Sequence, residues 1–251
     1  MDDGFSLLDL GYNYHSKSIL IADAGNEMVK VPIVGVVIKK KDLKILFDTG
    51  PDIRKKYPIM TRLNTTQTER NLLYNQLKLI GLEIKDIDLV VVSHLHYDHA
   101  GFLAEFKRTP ILVQKDELRY AYYPDWYYRE VYNRQDFDYY DLEYITINGD
   151  YKIEDGIEII SLPGHTPGTQ GLIVAASNGG AIFTSDALYT LENLIPVKRK
   201  QGLDWSTGLW GESVDRIKLT SKLKKLEIFP GHDEKFYSTK EFAPRMYPLN
   251  W

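Results

Sequence analysis

Three histidines and one aspartate lie within six consecutive residues, in the stretch His94-Leu95-His96-Tyr97-Asp98-His99. Imidazole nitrogens and carboxylate oxygens are ligands that proteins use for divalent cations. Residues two apart on an extended chain project to the same side, so His94 and His96 can bind one ion. Asp98 and His99 follow after a turn and can reach a second ion nearby. This density of ligand-type side chains predicts a metal site.

Three further candidate ligands each follow a strand-like run, beside small or Gly/Pro residues. Their shared placement predicts that they converge with the histidine-rich stretch on one edge of the fold. The remaining histidine, His15, has no predicted role. The three candidates are His165 in LPGHTPG, Asp186 in FTSD and His232 in FPGHD.

Together these seven side chains are sufficient for two cations. If Asp186 bridges, each ion receives four protein ligands and shares a solvent hydroxide. Two divalent ions outweigh two aspartates and a hydroxide in charge, so the site could stabilise an oxyanion. Zinc is favoured, with iron, cobalt or manganese as alternatives, because histidine and carboxylate ligands accept them all. The predicted sets are His94, His96, His165 and Asp186 for metal 1, and Asp98, His99, His232 and Asp186 for metal 2.

Strand-like segments position these residues. Residues 88–93 (DLVVVS) form a continuous apolar run, typical of a strand covered on both faces, and the histidine-rich stretch follows directly. Residues 31–38 and 44–47 are rich in apolar and β-branched side chains and predict a hairpin that runs into the turn Asp48-Thr49-Gly50. Further strand patterns lie at 111–113, 153–162, 172–176, 181–184 and 227–229.

Two helices are predicted between the strands. Thr66 and Glu69 have the spacing of a capping box at the start of the first helix. Apolar residues then recur at helical spacing over 73–80, and Gly81 ends the helix. The second helix is predicted over 213–225. Its predicted inward-facing residues are Val214, Ile217 and Leu223.

Strands that come in groups, with helices between them, indicate an α/β fold with two sheets faced by helices. The predicted architecture is a four-layer αβ/βα sandwich of two mixed sheets with outer helices. The sequence contains no internal repeat, low-complexity tract or Pro/Gly/Ser linker. We therefore expect a single domain over residues 1–251, a length that layered α/β enzymes reach as one unit.

The composition argues against several classes of function. The net charge of -4 argues against broad nucleic-acid binding, which needs a basic face. The absence of cysteine excludes disulfides, a thiol nucleophile and thiolate metal ligands. The sequence has neither the apolar run of about 18 residues that a membrane span needs nor the basic and apolar pattern of a secretion signal. Residence in the cytoplasm, away from membranes, is the default expectation.

One segment, residues 120–144, is unusually rich in tyrosine and other aromatic residues. One interpretation is a helical excursion whose aromatic rings pack on the core. The alternatives are an apolar pocket wall or the surface of a homodimer, since tyrosine suits both.

The sequence resembles the metallo-β-lactamase superfamily, whose HxHxDH motif matches HLHYDH, with distant ligands matching His165, Asp186 and His232. Within that superfamily it is most similar to the N-acyl-homoserine lactonases, the quorum-quenching lactonases. This second resemblance is carried by the chain length, the motif SHLHYDHAG, the turn NGDY at 148–151, the motif PGHTPGTQ and the motif DALY at 186–189. The resemblance implies that Tyr189, three residues after the bridging aspartate, directs its hydroxyl at the substrate carbonyl.

The implied reaction is hydrolytic opening of a small-molecule lactone by a metal-bridging hydroxide. Metal 1 and Tyr189 polarise the carbonyl oxygen, and metal 2 binds the departing ring oxygen. Asp98 carries the proton from the hydroxide to that oxygen. Asp98 and Tyr189 are thus the predicted catalytic residues.

Several departures leave other functions open. The loop around 60–65 is shorter than in familiar lactonases, Tyr97 replaces a frequent phenylalanine, and residues 203–211 have no evident counterpart. A different lactonase, or a thioesterase similar to glyoxalase II, would use the same ligands, although Thr169 stands where such thioesterases often have histidine. A non-catalytic binding protein is a further alternative, although members of that kind usually lose metal ligands.

Overall fold

The computed structural model describes residues 3–251, which contain twelve strands and eight α-helices besides short 3-10 turns. None of the helices within this range is long and apolar enough to cross a membrane. The strands are β1 (Gly4–Ser16), β2 (Met28–Lys40), β3 (Leu43–Phe47), β4 (Leu89–Val91), β5 (Ile111–Gln114), β6 (Tyr144–Ile147), β7 (Tyr151–Glu154), β8 (Ile157–Ser161), β9 (Gln170–Ala176), β10 (Gly179–Ser185), β11 (Glu227–Pro230) and β12 (Tyr247–Pro248). The helices are α1 (Lys17–Leu20), α2 (Pro58–Arg62), α3 (Leu73–Leu79), α4 (Tyr97–Ala100), α5 (Lys115–Tyr122), α6 (Arg134–Phe137), α7 (Thr207–Lys224) and α8 (Glu234–Tyr237).

The strands form two mixed sheets. The first has the order β12-β1-β2-β3-β4-β5-β6, and the second has the order β11-β10-β9-β8-β7. In the first sheet β3 to β6 run parallel, whereas β12, β1, β2 and β3 pair antiparallel. In the second sheet only β10 and β11 are parallel. The predicted hairpin of β2 and β3 and the predicted buried strand β4 are both confirmed.

Three buried clusters show how the layers stack. Side chains alternate between the faces of a strand, so Ile45 and Phe47 of β3 enter the cluster between the sheets while Leu46 enters the cluster under the helices. The inter-sheet cluster also holds Phe5 and Phe183, whose rings meet edge to face. A third cluster lies between the second sheet and α7. The predicted four-layer α/β sandwich is confirmed.

The predicted capping box was wrong in its residues. The backbone of Thr66 pairs with the backbone of Tyr12 in β1, and the Thr66 hydroxyl donates to the Asn64 carbonyl. Thr66 therefore does not cap a helix. Two residues later, the Thr68 backbone N–H and hydroxyl both donate to the Asn71 side chain, at the start of a 3-10 turn. The helix that follows, α3, ends before Gly81 as predicted, where φ is +74°.

Two other boundaries also differ from prediction. The strand predicted at 153–162 is a hairpin of β7 and β8, turning at Gly156. Helix α7 begins at Thr207, six residues earlier than predicted, because the Ser206 hydroxyl caps it by accepting from the Leu209 N–H.

The inward face of α7 was predicted correctly at two positions and wrongly at one. Val214 and Ile217 are fully buried, but Leu223 is 72% exposed. At 3.6 residues per turn, six residues past Ile217 correspond to a rotation of about 240°, which carries Leu223 away from the sheet. Trp210 completes the buried face instead.

This difference predicts two outcomes on one helix. Ile217→Ala should lower the free energy of unfolding by about 2–5 kcal/mol, because it leaves a cavity in a closed core. Leu223→Ala should change it by no more than about 0.5 kcal/mol, because the side chain is in water. Urea denaturation of both variants measures the difference, and similar losses would contradict the assigned face.

Candidate metal centre

The seven predicted ligands meet at one edge of the sandwich, and both sheets contribute. The stretch 94–99 follows β4 of the first sheet and turns into α4. His165 follows β8, Asp186 follows β10 and His232 follows β11, all in the second sheet. All seven side chains are buried. The site therefore spans the gap between the two layers.

Four of the side chains form a first group. His96 Nδ1 lies 3.0 Å from His94 Nε2 and 3.2 Å from His165 Nε2. Asp186 Oδ2 lies 3.7 Å from His94 Nε2 and 3.3 Å from His165 Nε2. One ligand atom from each of the four lies within 4.8 Å of the others, which suits a single cation.

The second group consists of Asp98, His99 and His232. His99 Nε2 lies 4.0 Å from Asp98 Oδ1, and the other oxygen of Asp186, Oδ1, lies 3.3 Å from His99 Nε2 and 3.0 Å from His232 Nε2. Asp186 thus presents one carboxylate oxygen to each group. That is the arrangement a bridging ligand requires.

The donor atoms fit divalent cations. His99 Nε2 and Asp186 Oδ1 are buried, and although Asp186 Oδ1 lies 3.3 Å from His99 Nε2 and 3.0 Å from His232 Nε2, neither atom has a partner in good hydrogen-bond geometry among residues 3–251. Such atoms are costly unless another group satisfies them. A cation between the converging nitrogens and oxygens would do so, and the residues present form a divalent metal site.

In the second group, the opposite ring nitrogens of both histidines are held by outer partners. A carboxylate or carbonyl that accepts from Nδ1–H fixes the tautomer and leaves the lone pair of Nε2 free for a cation. His99 Nδ1 lies 2.8 Å from Asp48 Oδ2, and His232 Nδ1 lies 2.8 Å from the Pro32 carbonyl. From the sequence, Asp48 is predicted only as part of a turn, because its role depends on a contact between distant segments.

Asp48 also links the sheets through hydroxyl groups. Its carboxylate accepts from the Ser93 N–H at 2.7 Å and the Ser93 hydroxyl at 2.8 Å, and Ser185 in the second sheet donates to the Ser93 hydroxyl at 2.8 Å. Asp48 and Ser185 both adopt positive φ, +60° and +46°. Left-handed backbone at non-glycine residues is uncommon and clusters at functional sites. Here it turns the chain at the strand ends that lead into the site.

Asp186 dominates the electrostatics of the site. Burial acts to raise the pKa of its carboxyl, but the imidazoles of His232 and His99 outweigh burial and hold this pKa well below the usual value. Burial acts to lower the pKa of His99, yet Asp186 and Asp48 raise it well above the usual value. His94, in contrast, has a pKa lowered by burial and by its neighbouring histidines. Without cations, the carboxylates therefore keep a proton on His99.

The loop that carries His165 is held in place by contacts with neighbouring segments. Gly164 has φ +143°, and a Cβ at this position would lie 2.4 Å from the backbone of Trp210. Trp205 N–H donates to the His165 carbonyl at 3.1 Å. Glu117, fully buried, accepts from the Thr166 hydroxyl and from the Leu95 N–H, joining this loop to the histidine-rich stretch. The segment 203–211, unassigned from the sequence, thus supports a candidate ligand.

Tyr189 lies beside the first group, with its hydroxyl 3.3 Å from His165 Nδ1. Burial and the charge of Asp186 raise the pKa of this phenol well above its usual value, so it stays protonated and can donate. Tyr189, Asp98 and Asp186 line a small cavity of about 40 Å³ together with His15. The sequence assigned no role to His15, which lies in β1 and reaches this cavity through the fold. The apolar residues lining the cavity are Ile19, Leu20, Val31, Leu63, Val131 and Leu203.

The aromatic segment 120–144 divides into two parts. Tyr128 and Tyr132 are buried behind the site, with ring centroids 5.4 and 4.6 Å from that of His96. Tyr128 donates to the His165 carbonyl and Tyr132 donates to Glu117. Tyr123 and Trp126 are exposed. Core packing is confirmed for the buried part, and a homodimer through the exposed part stays a prediction.

The fold and the site define the class of protein. The metallo-β-lactamase superfamily model matches residues 30–232, and the chain belongs to that superfamily.

Similar proteins indicate a more specific family within this superfamily. An N-acyl homoserine lactonase from Bacillus thuringiensis is 32% identical over 216 residues, covering 82% of this chain and 83% of the relative. N-acyl homoserine lactonase AttM from Rhizobium radiobacter is 34% identical over 69% of this chain and 68% of its own length. A solved N-acyl homoserine lactone hydrolase, with the product N-hexanoyl-L-homoserine bound at its catalytic metal centre, is 27% identical with a TM-score of 0.87, covering 98% of this chain and 100% of that one. The chain is a member of the N-acyl homoserine lactonase family, and the resemblance inferred from the motifs is confirmed.

The proton on His99 gives a prediction for cation loading. Adding zinc to the metal-free protein should release protons, because His99 and His232, whose pKa values are raised by Asp186, must lose theirs before Nε2 can bind. These protons are held more fully as the pH falls, so cation affinity should fall with it. Calorimetric titration in two buffers of different ionisation enthalpy detects the release. Equal heats in both buffers would contradict the assigned charge state.

Proposed function

We propose that this protein hydrolyses the lactone ring of N-acyl homoserine lactones at a site that holds two divalent cations, with zinc favoured. The observation that supports this most directly is the Asp186 carboxylate, with one oxygen facing each of two ligand groups. Membership of the N-acyl homoserine lactonase family supports the substrate class.

The first group, with His94, His96 and His165, would hold one cation, and the second, with Asp98, His99 and His232, would hold the other. Asp186 would be shared. When bound, the cations supply Lewis acidity and lower the pKa of water enough for hydroxide to be available at neutral pH. No ligand histidine is then free to act as a general base.

The remaining steps fall to two side chains. Tyr189 donates a hydrogen bond from its hydroxyl to the lactone carbonyl oxygen and stabilises the negative charge that develops there. Water adds to the carbonyl carbon and the bond from this carbon to the ring oxygen breaks. Asp98 takes the proton from the attacking water and returns it to the departing ring oxygen. The product is the open hydroxy acid.

The cavity of about 40 Å³ is too small to enclose a whole acyl homoserine lactone. Its apolar side chains, including Leu63, Val131 and Leu203, would contact only the part of the acyl chain next to the lactone ring. The net charge of -4 does not favour nucleic acid as a partner. A homodimer and residence in the cytoplasm stay predictions.

A substrate panel tests the reaction. The zinc-loaded protein should open acyl homoserine lactones faster than simple lactones, a glutathione thioester or a phosphodiester, because the site combines oxyanion donors with an apolar wall. Removal of the metal should abolish turnover and zinc should restore it, as followed by pH-indicator assay. Preferential thioester cleavage would replace the proposal with a thioesterase.

Tyr189→Phe tests the oxyanion donor. Turnover of the lactone should fall by about 10- to 1,000-fold, as expected for loss of one donor to the transition state. Metal content by elemental analysis should stay that of the unaltered protein, because the phenol is not a proposed ligand. His165→Ala is the comparison variant and should lose metal as well as activity. Undiminished turnover in Tyr189→Phe would remove this residue from the mechanism.

A further inference from the structure

We infer that Asn13 is a positioning residue that orients Asp98 toward the second cation. The inference rests on the proposed function, because it concerns one of the proposed ligands. Asn13 lies in β1, far from the motif along the sequence, and is fully buried. No motif indicates it.

The contact joins the two side chains directly. Asn13 Nδ2 donates to Asp98 Oδ2 at 3.2 Å, in a buried position. The other oxygen, Asp98 Oδ1, is the one that faces His99 Nε2 at 4.0 Å. Asn13 therefore uses one lone pair of Asp98 Oδ2, which leaves Oδ1 for the ligand group and the second lone pair of Oδ2 for the transferred proton.

The far end of the amide is fixed as well. Asn13 Oδ1 accepts from the Thr65 hydroxyl at 2.7 Å and from the Tyr97 hydroxyl at 3.1 Å. A flipped amide would place its NH2 against two hydroxyls and its oxygen against the Asp98 carboxylate, with two acceptors facing each other. The network thus selects one amide orientation, the one that donates to Asp98.

The chemistry of the amide suits this task. It is neutral, so it orients the carboxylate without cancelling the charge that attracts a cation. Since Thr65 follows α2 and Tyr97 begins α4, the network ties three separate segments to one carboxylate oxygen. Outer partners of this kind usually matter as much for orientation as for affinity, and their loss costs about 10- to 100-fold in metal affinity or activity.

The test is a stepwise cobalt(II) titration of metal-free protein, followed by its visible absorption bands. Asn13→Leu is similar in size but has no donor. It should weaken binding of the cation at the second group, which contains Asp98, by about 10- to 100-fold and alter the absorption bands of that cation. Binding of the first cation, at the group without Asp98, should be unchanged.

A matched control separates orientation from general destabilisation. Gln67 is also a buried amide near β1, and its Nε2 donates to the carbonyls of Leu10 and Pro51. Gln67→Leu should lower thermal stability while leaving the ratio of the two cation affinities unchanged. Tyr97→Phe keeps the Asn13 contact with Asp98 and should weaken the second cation less than Asn13→Leu does.

Each outcome bears on one claim. If the unaltered protein binds two cations and Asn13→Leu leaves the ratio of affinities unchanged, the positioning role is overturned while the proposed function stands. If the unaltered protein binds fewer than two, the proposed function itself fails. If Asn13→Leu does not fold, the double variant Thr65→Val with Tyr97→Phe, which frees the amide to rotate, must weaken the second cation selectively. Equal weakening of both cations would overturn the inference.

Discussion

The shared carboxylate of Asp186 is the interaction on which the rest of the site depends. A buried charge is costly unless it is paired, and here its partners are imidazoles contributed by both sheets. Because one oxygen faces each group, a small shift of Asp186 would disturb both at once. The scaffold must therefore hold the ends of β4, β8, β10 and β11 in a fixed relation.

Polar contacts between the sheets meet this requirement. Gln170 at the start of β9 donates from its backbone to the Ser93 carbonyl and from its side chain to the Val92 carbonyl, so the second sheet is bonded to the end of β4. Gly231 and His232 donate to the carbonyls of Leu188 and Tyr189, which extends the pairing of β10 and β11 into the ligand loops. Aromatic packing between the sheets supplies the apolar contacts, while these bonds set the alignment.

The sequence predicted the features that are local along the chain. The ligands at 94–99 are contiguous, and each of the other three follows its own apolar run, so both the layers and the ligand set were recognisable. Asn13, Asp48 and Glu117 were not, because their roles come from contacts with segments more than twenty residues away. The exposed Leu223 was mispredicted for a different reason: it lies six residues past Ile217, about 240° around α7, and so falls off the buried stripe.

The division of ligands between the layers has a consequence for how the protein matures. The first sheet alone offers His94, His96, Asp98 and His99, and the second offers His165, Asp186 and His232, so neither holds a complete set. Tight cation capture requires both sheets to be docked and aligned. Cation binding would then stabilise only the molecules whose two sheets are correctly assembled. Misassembled molecules would not bind the cation and would remain open to degradation.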